Sequence, residues 1–95
     1  MGDGEGKLYQ IALCCDGVPL ETGSKAAIDI KEELTHRPWH KNVQCEWNGG
    51  SLVLTAENDY DAHGLALMDE FSDATAACID DGFDGGIRVL SIKEI

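Results

Sequence analysis

The chain has 95 residues and a formal charge of −11 at pH 7, because 18 acidic residues outnumber 7 lysines and arginines. This length accommodates one hydrophobic core, so residues 8–95 are predicted to form a single α+β domain after a flexible, Gly-rich and acidic tail at residues 1–7. A chain this acidic is repelled by DNA and RNA, so no nucleic-acid partner is expected. The sequence lacks a signal-like start and a long apolar run, so we expect no membrane partner and predict a cytoplasmic protein.

The first predicted elements are a strand and a helix. Residues 8–15 alternate between apolar and small or polar side chains, which is typical of a half-buried strand. A helix is predicted next, with Thr22 or Ser24 as its N-cap and Pro38 beyond its end. Three apolar residues recur at helical spacing in between, namely Ala27, Ile30 and Leu34.

A β-hairpin and a final strand are also predicted. Residues 43–47 and 51–56 alternate as strands around Asn48-Gly49, a pair that favours a type I′ turn. Residues 87–92 are rich in β-branched side chains. This composition favours a central or half-buried strand.

A second helix is predicted over about residues 61–79. Asp59 or Asp61 is expected to cap its first amides, and the Gly-rich segment 80–86 is expected to end it. The stripe facing the core is predicted to contain Leu65, Met68, Phe71, Ser72, Thr75, Cys78 and Ile79.

The order strand, helix, strand, strand, helix, strand restricts the architecture. Short connections and right-handed crossovers predict a four-stranded antiparallel sheet with two helices on one face, the ferredoxin-like arrangement. Proteins with this arrangement have many unrelated activities, so function must be inferred from particular residues.

The segment between the first strand and the first helix has some features of a phosphate-binding loop. Five residues separate Gly17 from Gly23 where a P-loop has four, and Ser24 precedes Lys25 in the wrong order, so nucleotide hydrolysis is not predicted. Amides at a helix start can still bind an anion weakly. The candidate residues for weak anion binding are Gly23, Ser24 and Lys25.

Two places were considered for metal binding. Asp59, Asp61 and Glu70 match acidic positions of a calcium loop, but a further ligand position holds a histidine and the predicted helix would remove the loop. Cys14 and Cys15 are adjacent on a strand and point to opposite faces, which predicts one buried and one surface thiol rather than a chelating pair. No metal, cofactor or catalytic residue is therefore predicted, and all four cysteines are expected to be reduced.

The acidic residues are unevenly distributed. No lysine or arginine occurs between Asn42 and Ile87, so this part of the chain should form a negative surface. Such a surface either simply keeps a small protein soluble or binds a basic protein partner. The residues predicted for it are Asp69, Glu70, Asp73, Asp80 and Asp81.

Residues 36–41, the basic segment, form the one locally basic and aromatic stretch. Trp39 is expected either to pack on the core as a hinge or to present an exposed aromatic ring, the residue type enriched at binding hot spots. The candidate binding residues in this segment are Arg37, Trp39, His40 and Lys41.

Together these features predict a small, acidic, non-enzymatic protein-interaction or regulatory domain. We expect it to form a homodimer through its open sheet face or an edge strand, and to bind a basic protein. The alternative hypothesis is a small-molecule or metal-sensing module that uses the loops after strands one and three.

Overall fold

The computed structural model describes residues 8–79 and 86–95. Six elements follow in the order β1 (Tyr9–Asp16), α1 (Leu20–Thr35), β2 (Lys41–Trp47), β3 (Ser51–Asn58), α2 (Leu65–Cys78) and β4 (Ile87–Glu94). The strands form one sheet in the order β2-β3-β1-β4, and all neighbours are antiparallel. The predicted α+β class, element order and antiparallel sheet are confirmed, whereas the predicted tail and nearly all of the Gly-rich segment 80–86 lie outside the described residues.

A single core cluster joins both helices to one face of the sheet. Side chains of β3 alternate between buried and half-buried along the whole strand, as the period of a strand requires. The largest apolar side chains with no exposed surface are Ile11, Leu13, Ile30, Leu34, Leu52, Leu54, Leu67 and Phe71. Alternate strand residues point the other way and form what we call the open face of the sheet.

The start of α1 differs from the prediction. The helix begins at Leu20, and Pro19 is the N-cap, with no side-chain hydrogen bond at the cap. The Pro19 carbonyl accepts hydrogen bonds from the amides of Thr22 and Gly23, both at 3.0 Å. Thr22 and Ser24 are therefore inside the helix, and their prediction as N-caps is wrong because the proline begins the helix before either of them.

The start of α2 also differs from the prediction. The helix begins at Leu65, and Gly64 precedes it in a left-handed conformation with φ 75°. In the predicted stripe, Leu65 and Ser72 are exposed, whereas the other members are buried or half-buried, namely Met68, Phe71, Thr75, Cys78 and Ile79. The buried positions are Leu67, Phe71, Ala74 and Thr75.

A central or half-buried position is predicted for β4, but within the described residues β4 lies at one edge of the sheet, paired with β1, and β2 lies at the other edge. Only Ile87 and Ile92 of β4 are half-buried, and its other residues are exposed. Both edge strands are irregular. The pairing of β1 with β4 passes over Leu90, and the pairing of β2 with β3 shifts between Lys41 and Gln44, where Asn42 has φ 51°. Bulges and charges on edge strands hinder pairing with a further strand.

The hairpin between β2 and β3 is present, but its turn is displaced by one residue. The Asn48 amide donates to the Ser51 carbonyl, so the central residues are Gly49 and Gly50. Only Gly49 has positive φ, at 96°, which fits a type II′ turn rather than the predicted type I′ turn. The Asn48 side chain accepts from the amides of Gly50 and Ser51, which explains why asparagine precedes the two glycines.

We predict that Gly23→Ala destabilises the protein although alanine is the better helix former. A methyl group on Gly23 would overlap the indole of Trp47, which lies directly on this part of α1. The overlap should cost about 1–3 kcal/mol and outweigh a gain of about 1 kcal/mol in helix propensity. Urea denaturation of Gly23→Ala measures the sum of the overlap and the propensity gain, and Ser24→Ala, at an exposed neighbour, measures the propensity gain without the overlap. A Gly23→Ala protein at least as stable as wild type would contradict the close packing.

Candidate functional site

The basic segment contacts α2 through Glu70. The indole N–H of Trp39 donates to Glu70 Oε2 at 3.2 Å, and His40 Nε2 lies 3.0 Å from Glu70 Oε1. Arg37 Nε lies 3.1 Å from the same Oε1. The Glu70 side chain is only 20% exposed, so this carboxylate is part of an internal contact. One predicted member of the acidic surface thus binds three predicted members of the basic patch.

Arg37 is bound on two sides. Its Nη2 lies 3.4 Å from Glu33 on α1, and its Nε is close to Glu70 but is not aligned for a hydrogen bond. The guanidinium therefore interacts with carboxylates from both helices. Its charge neutralises them and is not available to an external acidic group.

His40 has a defined pair of partners. Asn58, which is 1% exposed, accepts hydrogen bonds through Oδ1 from the amides of Tyr60 and Asp61, at 3.2 and 2.9 Å. Its amide nitrogen therefore points the other way and lies 3.4 Å from His40 Nδ1. Because this nitrogen is a donor, Nδ1 must accept, and the ring proton must be on Nε2, where it donates to Glu70.

The same network continues to the start of α2. The Asp61 carboxylate accepts from the amides of Ala66 and Leu67 at 3.2 and 2.9 Å, so the predicted capping by Asp61 is confirmed. A connected series of polar contacts thus runs from Arg37 through Glu70, His40 and Asn58 to the first amides of α2. The His40 side chain has no exposed surface, so it cannot contact a ligand and serves to position the segment.

Trp39 presents an exposed aromatic ring and is not among the side chains that pack on the core cluster. Its N–H is bound to Glu70, which fixes the ring, and the residue remains 45% exposed. The ring lines a cavity of about 290 Å³ at one end of the sheet. The cavity is lined by Leu8, Pro38, Trp39, Lys41, Asn58 and Asp59.

The negative surface is concentrated on the two helices, which we call the helix layer. Its acidic residues are Glu21, Asp29, Glu32, Glu33, Asp69, Glu70 and Asp73, against only Lys25 and Lys31. Lys25 pairs with Asp29 at 2.6 Å, and Lys31 donates to Gln44 at 3.3 Å. Asp69 and Asp73 are exposed, as predicted, whereas Asp80 and Asp81 lie outside the described residues.

The residues considered for weak anion binding are largely engaged. Gly23 is buried, and its amide donates to the Pro19 carbonyl. The hydrogen bond from Lys25 to Asp29 raises the pKa of Lys25 and partly neutralises its charge. Of these three candidates, only Ser24 is exposed and has no side-chain hydrogen bond within the described residues.

A second polar cluster lies on the open face and was not predicted. Asp16 accepts hydrogen bonds from Arg88 Nε at 3.0 Å and from Ser51 Oγ at 2.7 Å, and the Cys14 thiol donates to it at 3.5 Å. The bonds from Arg88, then Ser51 and Cys14, lower the pKa of Asp16 to about 2. Asp16, Ser51 and Arg88 are far apart in the sequence, and the pairing of β1 with β3 and β4 brings them together.

The cysteines are unpaired in the structure. Cys15 faces the core and Cys14 the open face, but Cys14 is also buried, at 4% exposed, so the expected surface thiol is wrong. Arg88 Nη2 lies 3.8 Å from Cys14 Sγ, across the face where exposure was expected. Burial raises the pKa of Cys15 to about 11 and that of Cys45 to about 12, so neither is a thiolate nucleophile near neutral pH.

The hypothetical calcium ligands have other roles. Asp61 caps α2 and Glu70 binds the basic segment, so their carboxylates point at protein partners. Within residues 8–79 and 86–95, no three His, Cys, Asp or Glu side chains are grouped to hold a metal ion. In the same part of the chain, no helix is long and apolar enough to cross a membrane.

No protein family model matches the chain, and no curated protein matches it.

Replacing Glu70 by glutamine should destabilise the protein by about 1–2 kcal/mol. The groups facing the carboxylate are all donors, from Arg37, Trp39 and His40, so the amide of glutamine would leave at least one donor without an acceptor. Asp73→Asn, on the exposed side of the same helix, should change the free energy of unfolding by less than about 0.5 kcal/mol. Denaturant titration measures both variants; equal stability of the two would show that Glu70 is an ordinary surface acid.

Proposed function

We propose that this protein is a small interaction domain that binds a basic protein partner through its helix layer. The observation that carries the proposal is the separation of charge between the two layers of the fold. Seven of the nine charged side chains on the helices are acidic, and the two lysines contact neighbouring residues. The strands have a nearly balanced set, with Asp16, Glu46, Glu57 and Glu94 against Lys41, Arg88 and Lys93.

A concentrated negative surface acts mainly on the rate of encounter. Exposed charges attract an oppositely charged protein over about 10 Å at 0.1 M salt, which speeds association and orients the partner. Arg37 pairs with Glu33, whereas Asp69 and Asp73 on α2 and Glu32 on the neighbouring helix α1 are exposed. These side chains are the first that a basic partner would meet. The same surface keeps two copies apart, so the helix layer is unsuitable for self-association.

The proposal assigns homodimer formation to the open face of the sheet. The bulges in β2 and β4 disfavour edge-to-edge pairing, whereas the open face has short side chains at its centre, such as Ala12 and Thr55. One row of this face runs from Glu46 through Val53 and Cys14 to Arg88. Because Arg88 is paired with Asp16 within the same sheet, this row has few unpaired charges that would keep two copies of the face apart.

We also infer that the fold is ferredoxin-like. Counted from the opposite edge, the sheet order is β4-β1-β3-β2, with antiparallel neighbours throughout. Each helix connects two strands that are separated by one intervening strand, which is the split βαβ arrangement. This inference concerns architecture alone and assigns no activity.

Two variants with the same net charge test the role of the helix layer. Asp69→Asn combined with Asp73→Asn, and Glu46→Lys alone, each raise the net charge by two units, on the helix layer and on the open face respectively. We expect wild type and Glu46→Lys to capture basic proteins from cell extract, with recovery falling severalfold for the double variant. Quantitative mass spectrometry measures recovery, and sedimentation measures the oligomeric state of each variant, so that recovery is compared between variants in the same oligomeric state. Equal loss of capture in both variants, or no basic protein captured by wild type, would contradict the proposal.

A further inference from the structure

The cavity beside Trp39 is bordered by two opposite charges. Lys41 at the start of β2 and Asp59 after the end of β3 line it, and both residues are exposed. Neither makes a hydrogen bond or an ion pair within the described part of the chain, although most other cations there are bound to a neighbouring side chain. Two unpaired charges at one cavity can each bind a group of a ligand that carries both signs.

The remaining walls are mainly apolar. Leu8, Pro38 and Trp39 line the cavity, and the Trp39 ring is held in place by its hydrogen bond to Glu70. Asn58 also lines it; its side-chain oxygen accepts from the backbone and its side-chain nitrogen faces His40. A fixed aromatic ring gives binding surface without the entropy cost of ordering it.

Size restricts the ligand further. The cavity volume of about 290 Å³ is at the lower limit of about 300–1,000 Å³ for pockets that bind small molecules. A nucleotide or a large cofactor is therefore too big for it. The space suits a molecule of few heavy atoms that has one apolar group.

We propose that this cavity binds a small zwitterion that has a free amino group, a free carboxylate and an apolar or aromatic side chain, the chemistry of a free α-amino acid. The carboxylate pairs with Lys41, the ammonium group pairs with Asp59, and the side chain packs on Trp39. The loop after β1 does not take part. Because Asp16 pairs with Ser51 and Tyr9 with Asn58, the loops after β1 and β3 lie at opposite ends of the sheet and cannot hold one ligand together.

This binding is independent of the acidic helix layer, because Lys41, Asp59 and Trp39 all lie outside α1 and α2. The two charges are at an exposed rim, so each contributes modestly and the affinity should be in the millimolar range. The cavity could then respond to a metabolite whose concentration is itself high.

Titration with L-phenylalanine, followed by NMR of the backbone amides and the Trp39 indole N–H, tests the proposal. Saturable shifts are expected at Trp39, Lys41 and Asp59. Lys41→Met and Asp59→Asn should each weaken binding about three- to tenfold. The helix-layer variant Asp69→Asn with Asp73→Asn serves as the control and should bind like wild type.

Phenylalaninamide, which lacks the carboxylate, separates the two charge contacts. It should bind wild type more weakly than phenylalanine does, and Lys41→Met should weaken it no further, whereas Asp59→Asn should. Absence of saturable shifts with phenylalanine would overturn the proposal. Equal weakening of phenylalanine and phenylalaninamide by Lys41→Met would overturn the assigned orientation, and both outcomes leave the basic-partner proposal unaffected.

Discussion

Burial of the His40 imidazole requires a hydrogen-bond partner at each ring nitrogen, and the arrangement of one end of the molecule follows from that requirement. Asn58 supplies one partner and Glu70 the other. Each partner has a second role. Asn58 binds the turn that leads into α2, and Glu70 fixes the indole of Trp39. The packing of α2 against the basic segment and against the turn after β3 therefore depends on a few buried polar contacts in addition to apolar packing.

This network also determines which charges remain for binding. Glu70 and Arg37 lie against each other as an ion pair, so neither belongs to the negative or positive surface that the sequence predicts. Asp69 and Asp73 remain exposed on α2, and Lys41 and Asp59 remain unpaired beside the fixed ring of Trp39 within the described residues. The helix layer and the cavity are thus separate binding surfaces of different chemistry. One suits a basic macromolecule and the other suits a small zwitterion.

The sequence predicts the element order well because β1, β3 and α1 have clear apolar periods. It fails for the start of each helix and for contacts between residues that are distant in the sequence. Pro19 begins α1 before the better capping residues, and the turn held by Asn58 and Asp61 delays α2, where Leu65 is exposed. The contacts of Glu70 with Trp39 and His40 span about 30 residues of sequence and follow no spacing rule. Such contacts become visible only once the sheet brings the basic segment next to α2.

The most direct measurement of the buried network is the tautomer of His40, observed through the side-chain nitrogens by NMR near neutral pH. The structure predicts a single slowly exchanging proton on Nε2, with a scalar or through-space connection to Glu70, and an unprotonated Nδ1 that accepts from Asn58. His36 and His63 are exposed and provide internal references for freely exchanging rings. A His40 signal with its proton on Nδ1, or one that averages like these two, would contradict the central role of the contacts between Glu70, His40 and Asn58.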